Sequence, residues 1–525
     1  MDVDSTPDDK LGYTMTCVKA IEGNRWSTVH KCLRAYPELK AWIQENNYSI
    51  SATNLHNIKQ HALYLARDQI RIDIHALDDV PEEEVPSAKE SILKKLKRMT
   101  PGPGSGIGAM QREDGSICTS PEEIALVLRK HWQGVFKRKE VNTAAVQIWM
   151  EELFIKDEQG FITLLPPKSC NSWKISHDRV RTAINSAKNS MPGPDGIPAA
   201  AWKALGDAAV DVFYCSAMAL CSSGFKTALL EAYADRCMTG THAFNLSLLC
   251  CLPKKPYGTD PEVGEFYRGE DTRPLALVNT DNRIIANAAR LTWEPLLNKY
   301  ISKAQRGFLK GRHMINNLIE IDYDAMRISM RAEKGMLVLF DFKAAFPSVS
   351  HDFLMSSLEA IGLPPHAIHF INALYDNNKC NISYQGNLYD GFGMECGVRQ
   401  GCPISPLLFA AAVDILLRRL ANKVGDSTIK AFADDIGAVF ADWDRDSPVA
   451  EEIFREFAEM SGLELNTSKT ICIPLWEENI DSIRQTMKDS QSLWKDVQVD
   501  THGTYLGVAI GPGSPGISWE KPLKK

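Results

Sequence analysis

The feature that most constrains the fold of this chain is a pair of adjacent carboxylates framed by apolar residues, in Ala431-Phe432-Ala433-Asp434-Asp435-Ile436-Gly437-Ala438-Val439-Phe440. Strand-forming residues on both sides of a polar pair predict a β-hairpin whose tip carries the two acids. Two ionised carboxylates held close together repel each other unless a cation lies between them. The stretch therefore predicts a divalent metal site. The pairs Asp8-Asp9 and Asp78-Asp79 lie in polar surroundings, and we interpret them as solvated loop.

A third acid, Asp341, ends the apolar run Met336-Leu337-Val338-Leu339-Phe340, which has the length of one strand. A buried strand should not end in a charge without a reason, because an unpaired carboxylate there is costly. We expect the next helix to begin at about Ser350. The alternative that Asp341 caps this helix is disfavoured, because the neighbours of Asp341 are apolar and the helix begins too far downstream.

The order of these elements is typical of a two-metal site. Asp341 precedes Asp434 by 93 residues, with a strand before the first acid and a hairpin around the second. Two Mg²⁺ ions roughly 3.5–4 Å apart stabilise the attacking and leaving oxygens of an in-line phosphoryl transfer. Carboxylate oxygens are ligands that suit Mg²⁺, which keeps waters and substrate phosphates in its coordination shell.

Further cations lie at the ends of other predicted elements. Lys254 and Lys255 follow an apolar run, and Arg273 opens the next one. A guanidinium group binds phosphate oxygens through two hydrogen bonds, so these side chains suit a triphosphate. Taken singly, each of them could equally be a surface cation.

A capping box begins a helix at Ser120, with Glu123 three residues later. We expect this helix to turn Ile124, Leu126, Val127 and Leu128 inward. A cluster of cations around one aromatic residue follows, namely Arg129, Lys130, Trp132, Lys137, Arg138 and Lys139. Such a cluster suits phosphate contact and base stacking, and a solvated basic face is the open alternative.

Composition limits the class of protein. No apolar run approaches the length of about 18 residues that would span a bilayer. The amino end is acidic and polar, which argues against a signal peptide. The 13 cysteines include no Cys-x-x-Cys pair, which favours reduced thiols in an intracellular protein. The net charge of −7 gives no overall basic field for nucleic acid, although a groove can be locally basic.

An ordered series of motifs carries a family resemblance over roughly residues 105 to 515. They are Gly193-Pro194-Asp195-Gly196, Arg273-Pro274, Gln305-Arg306-Gly307-Phe308, Asp341 with Ala345-Phe346, Arg399-Gln400-Gly401-Cys402-Pro403-Ile404-Ser405-Pro406, Phe432-Ala433-Asp434-Asp435, Asn466 with Lys469, and Tyr505-Leu506-Gly507. In this order they resemble the reverse transcriptase domain of non-LTR (LINE-type) retrotransposons. Any one motif is weak, and the ordered set is highly specific.

The resemblance implies a role for each acid. Asp341 and Asp434 would bind two Mg²⁺ ions, for which Mn²⁺ could substitute, and the carbonyl of Phe342 would be a further ligand. Asp435 would support the same metal site as an adjacent acid.

The resemblance also implies nucleotide contacts. Arg273 and one of Lys254 or Lys255 would bind the incoming triphosphate. Gln400 and Gly401 would line the nucleotide and template pocket.

Three further roles follow from the same resemblance. Lys469 would be the general acid for pyrophosphate departure. Tyr505-Leu506-Gly507 would grip the primer end, and Phe346 would block a ribose 2′-hydroxyl. The alternative of an RNA-dependent RNA polymerase would place a hydrogen-bonding residue at that last position, so the apolar ring of Phe346 favours dNTPs.

The implied fold is an α/β (α+β) right-hand polymerase with fingers and palm, in which helices back an antiparallel palm sheet. The thumb would be largely missing, because only about 18 residues follow Gly507. We expect a helical, polar extension of unknown role in 1–104, an N-terminal extension and fingers in 105–335, the palm with the primer-grip hairpin in 336–510, and a truncated tail in 511–525.

The implied activity is that of an RNA-directed DNA polymerase that takes an RNA template, a DNA primer and dNTPs in the nucleus or cytoplasm, away from membranes. The endonuclease that often precedes such a polymerase is not expected here, because the first hundred residues lack its acidic and histidine pattern. The competing hypothesis is a catalytically incomplete, nucleic-acid-binding remnant of a retrotransposon polymerase.

Overall fold

The computed structural model describes residues 7–22, 25–43, 50–75, 107–153, 165–226, 243–331 and 334–517. The chain divides into two compact units, residues 1–106 and 107–525. The boundary that the sequence predicts at residue 104 lies outside the described residues, as does Asp78-Asp79.

The first unit is helical in its described part. Its helices are α1 (Pro7–Glu22), α2 (Trp26–Ala35) and α3 (Ala52–His75). Val29, Leu33 and Ile58 are fully buried in a core of their own. The interpretation of Asp8-Asp9 as loop is wrong, because both residues lie in the first turn of α1.

The second unit mixes helices and sheets. Its helices are α4 (Pro121–Val135), α5 (Thr143–Leu153), α6 (His177–Ser186), α7 (Ala199–Leu205), α8 (Asp207–Leu220), α9 (Thr280–Tyr300), α10 (Met314–Ser329), α11 (Ala345–Ser348), α12 (His351–Ala360), α13 (Pro365–Tyr375), α14 (Ser405–Lys423), α15 (Trp443–Ser461) and α16 (Ile480–Asp489).

In its described residues the strands form two larger sheets and three small hairpins. They are β1 (Met110–Gln111), β2 (Ile117–Cys118), β3 (Leu246–Pro253), β4 (Gly258–Asp260), β5 (Gly264–Phe266), β6 (Thr272–Val278), β7 (Met336–Phe340), β8 (Lys379–Tyr384), β9 (Asn387–Gly393), β10 (Thr428–Phe432), β11 (Asp435–Phe440), β12 (Ile471–Pro474), β13 (Gln498–Val499), β14 (Gly503–Tyr505) and β15 (Val508–Ile510).

The five-stranded sheet has the order β10-β11-β7-β12-β13. Strands β10 and β11 form the predicted hairpin, with Phe432 opposite Asp435, so the acids lie at its tip. The predicted antiparallel arrangement is confirmed for β10, β11, β7 and β12, whereas β13 joins β12 in parallel. Strand β7 lies at the centre, and all five of its residues are buried, as its apolar run predicts.

Each face of this sheet packs against a different layer. Val338 and Phe340 of β7 point into a large core that includes residues of α12, α14 and α15. Leu337 and Leu339 point to the other face, where they pack against α10 and the β14-β15 hairpin. This alternation follows from the period of two along a strand. The sheet is therefore covered on both faces, and its strand ends are the places where charged groups reach solvent.

The four-stranded sheet has the order β6-β3-β8-β9. Strands β3 and β6, which coincide with the two apolar runs, pair antiparallel with Leu252 opposite Arg273. Strand β3 also pairs in parallel with β8. Residues 379–393, which fall in the segment predicted as palm, therefore lie in this second sheet.

Helix α4 begins with the predicted Ser120 cap, whose hydroxyl accepts a hydrogen bond from the Glu123 N–H. Among the described contacts the Glu123 carboxylate pairs with Arg112, so only half of the predicted capping box forms. The prediction of which side chains point inward is partly wrong, because Ile124 and Leu128 are buried but Leu126 is exposed. Trp132 takes the inward position instead. Its indole N–H donates to the Thr272 hydroxyl, so this ring is not available for base stacking. The stacking interpretation of the surrounding cation cluster is therefore wrong for Trp132.

No helix in the described residues has the length and apolar character that a membrane crossing requires. The sequence predicts a helix from about Pro448 to Met460, but this helix, α15, begins five residues earlier, at Trp443. The Asp442 carboxylate accepts a hydrogen bond from the Arg445 N–H and caps the helix there, so Pro448 lies inside the helix.

The packing of Phe340 gives a testable prediction. This ring is 4% exposed and contacts the rings of Phe440, Phe454 and Trp494. We expect Phe340→Ala to destabilise the second unit by about 3–5 kcal/mol, because the change leaves a cavity in a packed core. Urea unfolding followed by tryptophan fluorescence measures this loss.

Phe308→Ala is the matched control, because the Phe308 ring is 55% exposed. It should change the free energy of unfolding by less than about 1 kcal/mol. Equal losses in both variants would contradict the assignment of Phe340 to the core.

Candidate active site

The end of strand β7 and the tip of the β10-β11 hairpin lie side by side. Phe340 is paired with Ile436, so Asp341 follows that pair on one strand and Asp435 precedes it on the other. Residues opposite each other in an antiparallel pair have Cα atoms about 4.5–5.5 Å apart. The three acids that the sequence predicts to meet are therefore brought together, within range of one another's charges.

This crowding changes the protonation of all three carboxyl groups. Burial, and then the charges of Asp434 and Asp341, raise the pKa of Asp435 to about 6, although part of this residue is exposed at the surface. Burial raises the pKa of Asp434, with a further contribution from Asp341. Burial also raises the pKa of Asp341. Each shift means that the negative charge is poorly accommodated, and a cation between the acids would remove that cost.

Hydrogen bonds fix the orientation of Asp341. The Asn466 side-chain amide donates to the Asp341 carboxylate at 3.0 Å, and the Asn466 backbone N–H donates to the Asp341 carbonyl at 2.7 Å. The Thr470 hydroxyl accepts a longer bond, of 3.4 Å, from the Asp341 N–H. Sequence reasoning gave no role to Asn466 or Thr470. Asn466 was recognised only as part of the motif with Lys469, and its partner Asp341 lies 125 residues away in the sequence.

The Phe342 carbonyl, the fourth predicted ligand, is free of the neighbouring strand. Phe342 forms an antiparallel bridge with Leu465, and the two hydrogen bonds of this bridge belong to the flanking residues Asp341 and Lys343. The peptide groups of Phe342 therefore point away from Leu465. This carbonyl is available as an oxygen ligand beside Asp341.

The donor set fits a hard divalent ion that keeps part of its shell for other ligands. Within the described residues, no three His, Cys, Asp or Glu side chains converge as ligands of one metal ion. Mg²⁺ is usually bound by one or two carboxylates, with waters and substrate phosphates completing its shell. Two carboxylates and a carbonyl meet that requirement.

Three cations face the acids. The charges of Lys469 and Lys254 act on Asp341, and those of Arg273 and Lys254 act on Asp434. Burial, followed by the nearby Lys469 and Arg273, lowers the pKa of Lys254. Lys254 also donates a hydrogen bond to the Glu270 carbonyl at 2.9 Å. Of the two lysines that the sequence left open, the geometry favours Lys254, because Lys255 has no such interaction with the acids among the described contacts.

Gln400 and Gly401 lie against the strand that carries Arg273. The Ala276 N–H of β6 donates to the Gln400 carbonyl at 2.8 Å. Gly401 has φ +110°, and a Cβ atom there would lie 2.9 Å from the Ala276 carbonyl oxygen. Only glycine allows this close approach. The residues predicted to line the nucleotide and template pocket therefore lie beside the strand that carries Arg273, a predicted triphosphate contact.

The Phe346 ring is held by two other aromatic rings. It stacks on Phe409 with 4.3 Å between centroids and meets Phe308 edge-on at 6.2 Å. The Phe346 carbonyl also accepts a hydrogen bond from the Val398 N–H. Phe308, which sequence reasoning left without a role, also contacts the ring of Phe432 at the hairpin. The predicted sugar-blocking ring therefore has little freedom to move.

The segment Tyr505-Leu506-Gly507 forms the turn of the β14-β15 hairpin, with positive φ at Leu506 and Gly507. The Tyr505 side chain is buried, and its hydroxyl accepts from the Asn317 amide and donates to the Lys430 carbonyl. The ring therefore anchors the hairpin to β10 and α10. Only the turn, with Gly507 exposed, is left to meet a primer.

Comparison with known proteins agrees with this arrangement. A family model described as reverse transcriptase (RNA-dependent DNA polymerase) matches residues 253–510. The Retrovirus-related Pol polyprotein from type-2 retrotransposable element R2DM of Drosophila melanogaster is 24% identical over 368 residues. The transposon TX1 uncharacterized 149 kDa protein of Xenopus laevis is 24% identical over 413 residues. This chain contains a reverse transcriptase domain of the non-LTR retrotransposon type.

The reverse transcriptase matches cover unequal shares of the proteins. They span 77% of this chain and 29% of the TX1 protein, and 66% of this chain and 31% of the R2DM polyprotein. The solved structures that resemble this chain include apo telomerase from Candida tropicalis truncated from its C-terminal domain, with 12% identity, a TM-score of 0.37, and coverage of 55% of this chain and 57% of that chain. Reverse transcriptases as a family use divalent metal ions and bind a nucleic acid template.

The raised pKa of Asp435 gives a testable prediction. A carboxyl group with a raised pKa binds its proton more tightly in the folded chain than in the unfolded chain, so its ionisation destabilises the fold as the pH rises from about 4 to 6. In EDTA at pH 7.5, we expect Asp435→Asn to raise the melting temperature by about 1–3 °C. Scanning fluorimetry measures this change.

At pH 5 the increase should shrink, because wild-type Asp435 is then mostly protonated. The control is Asp390→Asn, at a side chain that is 93% exposed, which should leave the melting temperature unchanged at both pH values. A lower melting temperature for Asp435→Asn at pH 7.5 would contradict the prediction.

Proposed function

We propose that this chain is the RNA-directed DNA polymerase of a non-LTR retrotransposon, which adds dNTPs to a primer 3′-hydroxyl in the order set by an RNA template. The observation that carries the proposal is the meeting of Asp341, Asp434 and Asp435 at one end of a buried sheet, opposite Lys254, Arg273 and Lys469. The carboxylates would bind metal ions, and the lysine and arginine side chains would bind phosphate oxygens. Together these groups suit a nucleoside triphosphate with its metal ions.

Two Mg²⁺ ions, for which Mn²⁺ would substitute, fit the acids. The residues that would hold them are Asp341, Asp434 and the Phe342 carbonyl, with Asp435 in a supporting position. When bound, divalent ions stabilise the charge that develops on the attacking and leaving oxygens. Asn466 prepares this site, because its amide holds the Asp341 carboxylate in one orientation before any ion binds.

The cations would bind the triphosphate and its product. Arg273 and Lys254 would contact the triphosphate oxygens while the primer 3′-oxygen attacks the α-phosphorus. A new phosphodiester bond forms as the bond to the β-phosphate oxygen breaks, and pyrophosphate leaves. Lys469 would donate a proton to the departing pyrophosphate, and the effect of its charge on Asp341 supports this role.

The choice of sugar would depend on Phe346. Its ring is packed against Phe409 and Phe308 and cannot swing aside without breaking both contacts. A fixed apolar ring offers no hydrogen bond to a ribose 2′-hydroxyl and leaves it buried without a partner, which is costly. This reasoning supports dNTPs over rNTPs.

The template and primer would lie on either side of this site. Gln400 and Gly401 would contact the template base and the incoming nucleotide from the edge of β6. The turn at Leu506 and Gly507 would hold the primer end, with Tyr505 as its anchor. The intracellular location inferred from the sequence stays a prediction.

Loss of a metal-binding acid gives the first test of this function. We expect Asp341→Ala or Asp434→Ala to lower primer extension on an RNA template with Mg²⁺ by at least about 10³-fold, because the site loses a metal ligand. The far-ultraviolet circular dichroism spectrum should stay unchanged. Asp390→Asn, at an exposed acid on β9, is the matched control and should keep wild-type extension.

Retained extension in either alanine variant would reject the assignment of the acids. Failure of the wild-type chain to extend any primer, together with binding of the template and primer, would instead support the hypothesis of an incomplete nucleic-acid-binding remnant.

The sugar gate is tested separately. We expect Phe346→Ala to raise the ratio of kcat/KM for rNTPs to that for dNTPs by about 10- to 100-fold, because the 2′-hydroxyl gains space and water. Single-nucleotide incorporation with matched dNTP and rNTP measures the ratio. Phe409→Ala, which removes only the supporting ring, should raise it less. An unchanged ratio in Phe346→Ala would remove the basis for the sugar gate.

A further inference from the structure

The turn that carries Asp434 has a backbone conformation that its sequence does not favour. Ala433 and Asp434 form the two-residue loop between the paired residues Phe432 and Asp435. Ala433 has φ +61°, and Asp434 is not among the residues with positive φ. This is the pattern of a type II′ turn, whose first central position favours glycine. Alanine is disfavoured there because its Cβ atom crowds the backbone.

A buried glutamine side chain holds this turn. The Gln305 amide oxygen accepts a hydrogen bond from the Ala433 N–H at 2.9 Å, and the Gln305 amide nitrogen donates to the Ala433 carbonyl at 3.1 Å. Gln305 is fully buried and Ala433 is 3% exposed, so water does not compete for these groups. One amide group therefore satisfies both peptide groups of the residue in the left-handed conformation.

Backbone hydrogen bonds on either side of Gln305 hold its side chain next to the turn. Residues 304–306 extend the sheet beside the end of β10, because the Ala431 N–H donates to the Ala304 carbonyl and the Arg306 N–H donates to the Ala431 carbonyl, both at 2.8 Å. The Gln305 oxygen also accepts a bond from the Gly307 N–H at 2.8 Å. A Cβ atom at Gly307 would lie 2.1 Å from the Ala433 nitrogen, so a side chain at 307 would displace the turn.

We propose that Gln305 is a positioning residue for the polymerase reaction, which acts by holding Ala433 in the left-handed conformation and so aims Asp434 at the metal site. The catalytic part of this inference rests on the proposed function. The Gln305 side chain makes three described hydrogen bonds. Two join it to Ala433 in the turn, and one joins it to Gly307 in its own loop. Its loss should therefore disturb the turn more than it disturbs the fold.

The test uses the full chain with three variants, Gln305→Met, Ala433→Gly and the double variant. Methionine keeps the approximate volume of glutamine and removes its hydrogen bonds. Glycine at 433 adopts the left-handed conformation without the clash, so it should reduce the need for Gln305. Thr292→Val is the matched control, because the buried Thr292 hydroxyl bonds only within helix α9, to the Ala288 carbonyl.

We expect Gln305→Met to lower kcat for single-nucleotide incorporation by about 10- to 100-fold, since a displacement of about 1 Å at a reacting group has an effect of this size. The KM for the dNTP should change less than about threefold, because the triphosphate cations are untouched. The double variant should recover at least about tenfold of the lost kcat. A residue that only supports the fold would not show this rescue, because Ala433→Gly adds no packing.

A second readout does not depend on activity. Hydrogen exchange at the amide of residue 433 should be at least about tenfold faster in Gln305→Met than in wild type and in Thr292→Val, while helix α9 exchanges at its wild-type rate. Wild-type kcat in Gln305→Met, or no recovery in the double variant, would overturn the positioning role. If the wild-type chain extends no primer, the proposed function fails, and the exchange rate decides alone: an unchanged rate at residue 433 would overturn the inference.

Discussion

The repulsion among three carboxylates at one end of a buried sheet is the constraint on which the rest of the second unit depends. Asp341, Asp434 and Asp435 meet because a central strand and a hairpin pair in one register, and burial makes their charge harder to accommodate. The surrounding structure contains two things that such a cluster needs: hydrogen bonds that fix Asp341, and cations whose charges act on the acids.

The residues that pack around the strands carrying these acids come from many parts of the second unit. Strand β7 is buried on both faces, and the layers that cover it come from helices before and after it in sequence. A continuous polar network also links Arg306, beside Gln305, to Asn317 and then to the Tyr505 hydroxyl. The loop that holds the catalytic turn and the hairpin proposed to hold the primer are therefore anchored to the same helix, α10.

Much of the site was predictable from the sequence, because its signals are local. The apolar frame of Asp434 and Asp435 predicts the hairpin, and the apolar run before Asp341 predicts the central strand. The contacts that orient these acids were not predictable, since Asn466 and Gln305 lie 125 and 128 residues from their partners. The same holds for Trp132, whose burial depends on Thr272 in another element. Local patterns alone misplaced Asp8-Asp9, which lie in α1, and the start of α15, where the Asp442 cap precedes Pro448.

The central claim, that these acids and the Phe342 carbonyl form a two-metal polymerase site, is tested most directly by a crystal structure with Mn²⁺, a primer on an RNA template and a non-hydrolysable dNTP. Anomalous scattering would locate the ions. The account predicts two peaks roughly 3.5–4 Å apart, within bonding distance of Asp341 and Asp434 and of the triphosphate. Ions bound elsewhere, or a triphosphate that contacts neither Arg273 nor Lys254, would contradict it.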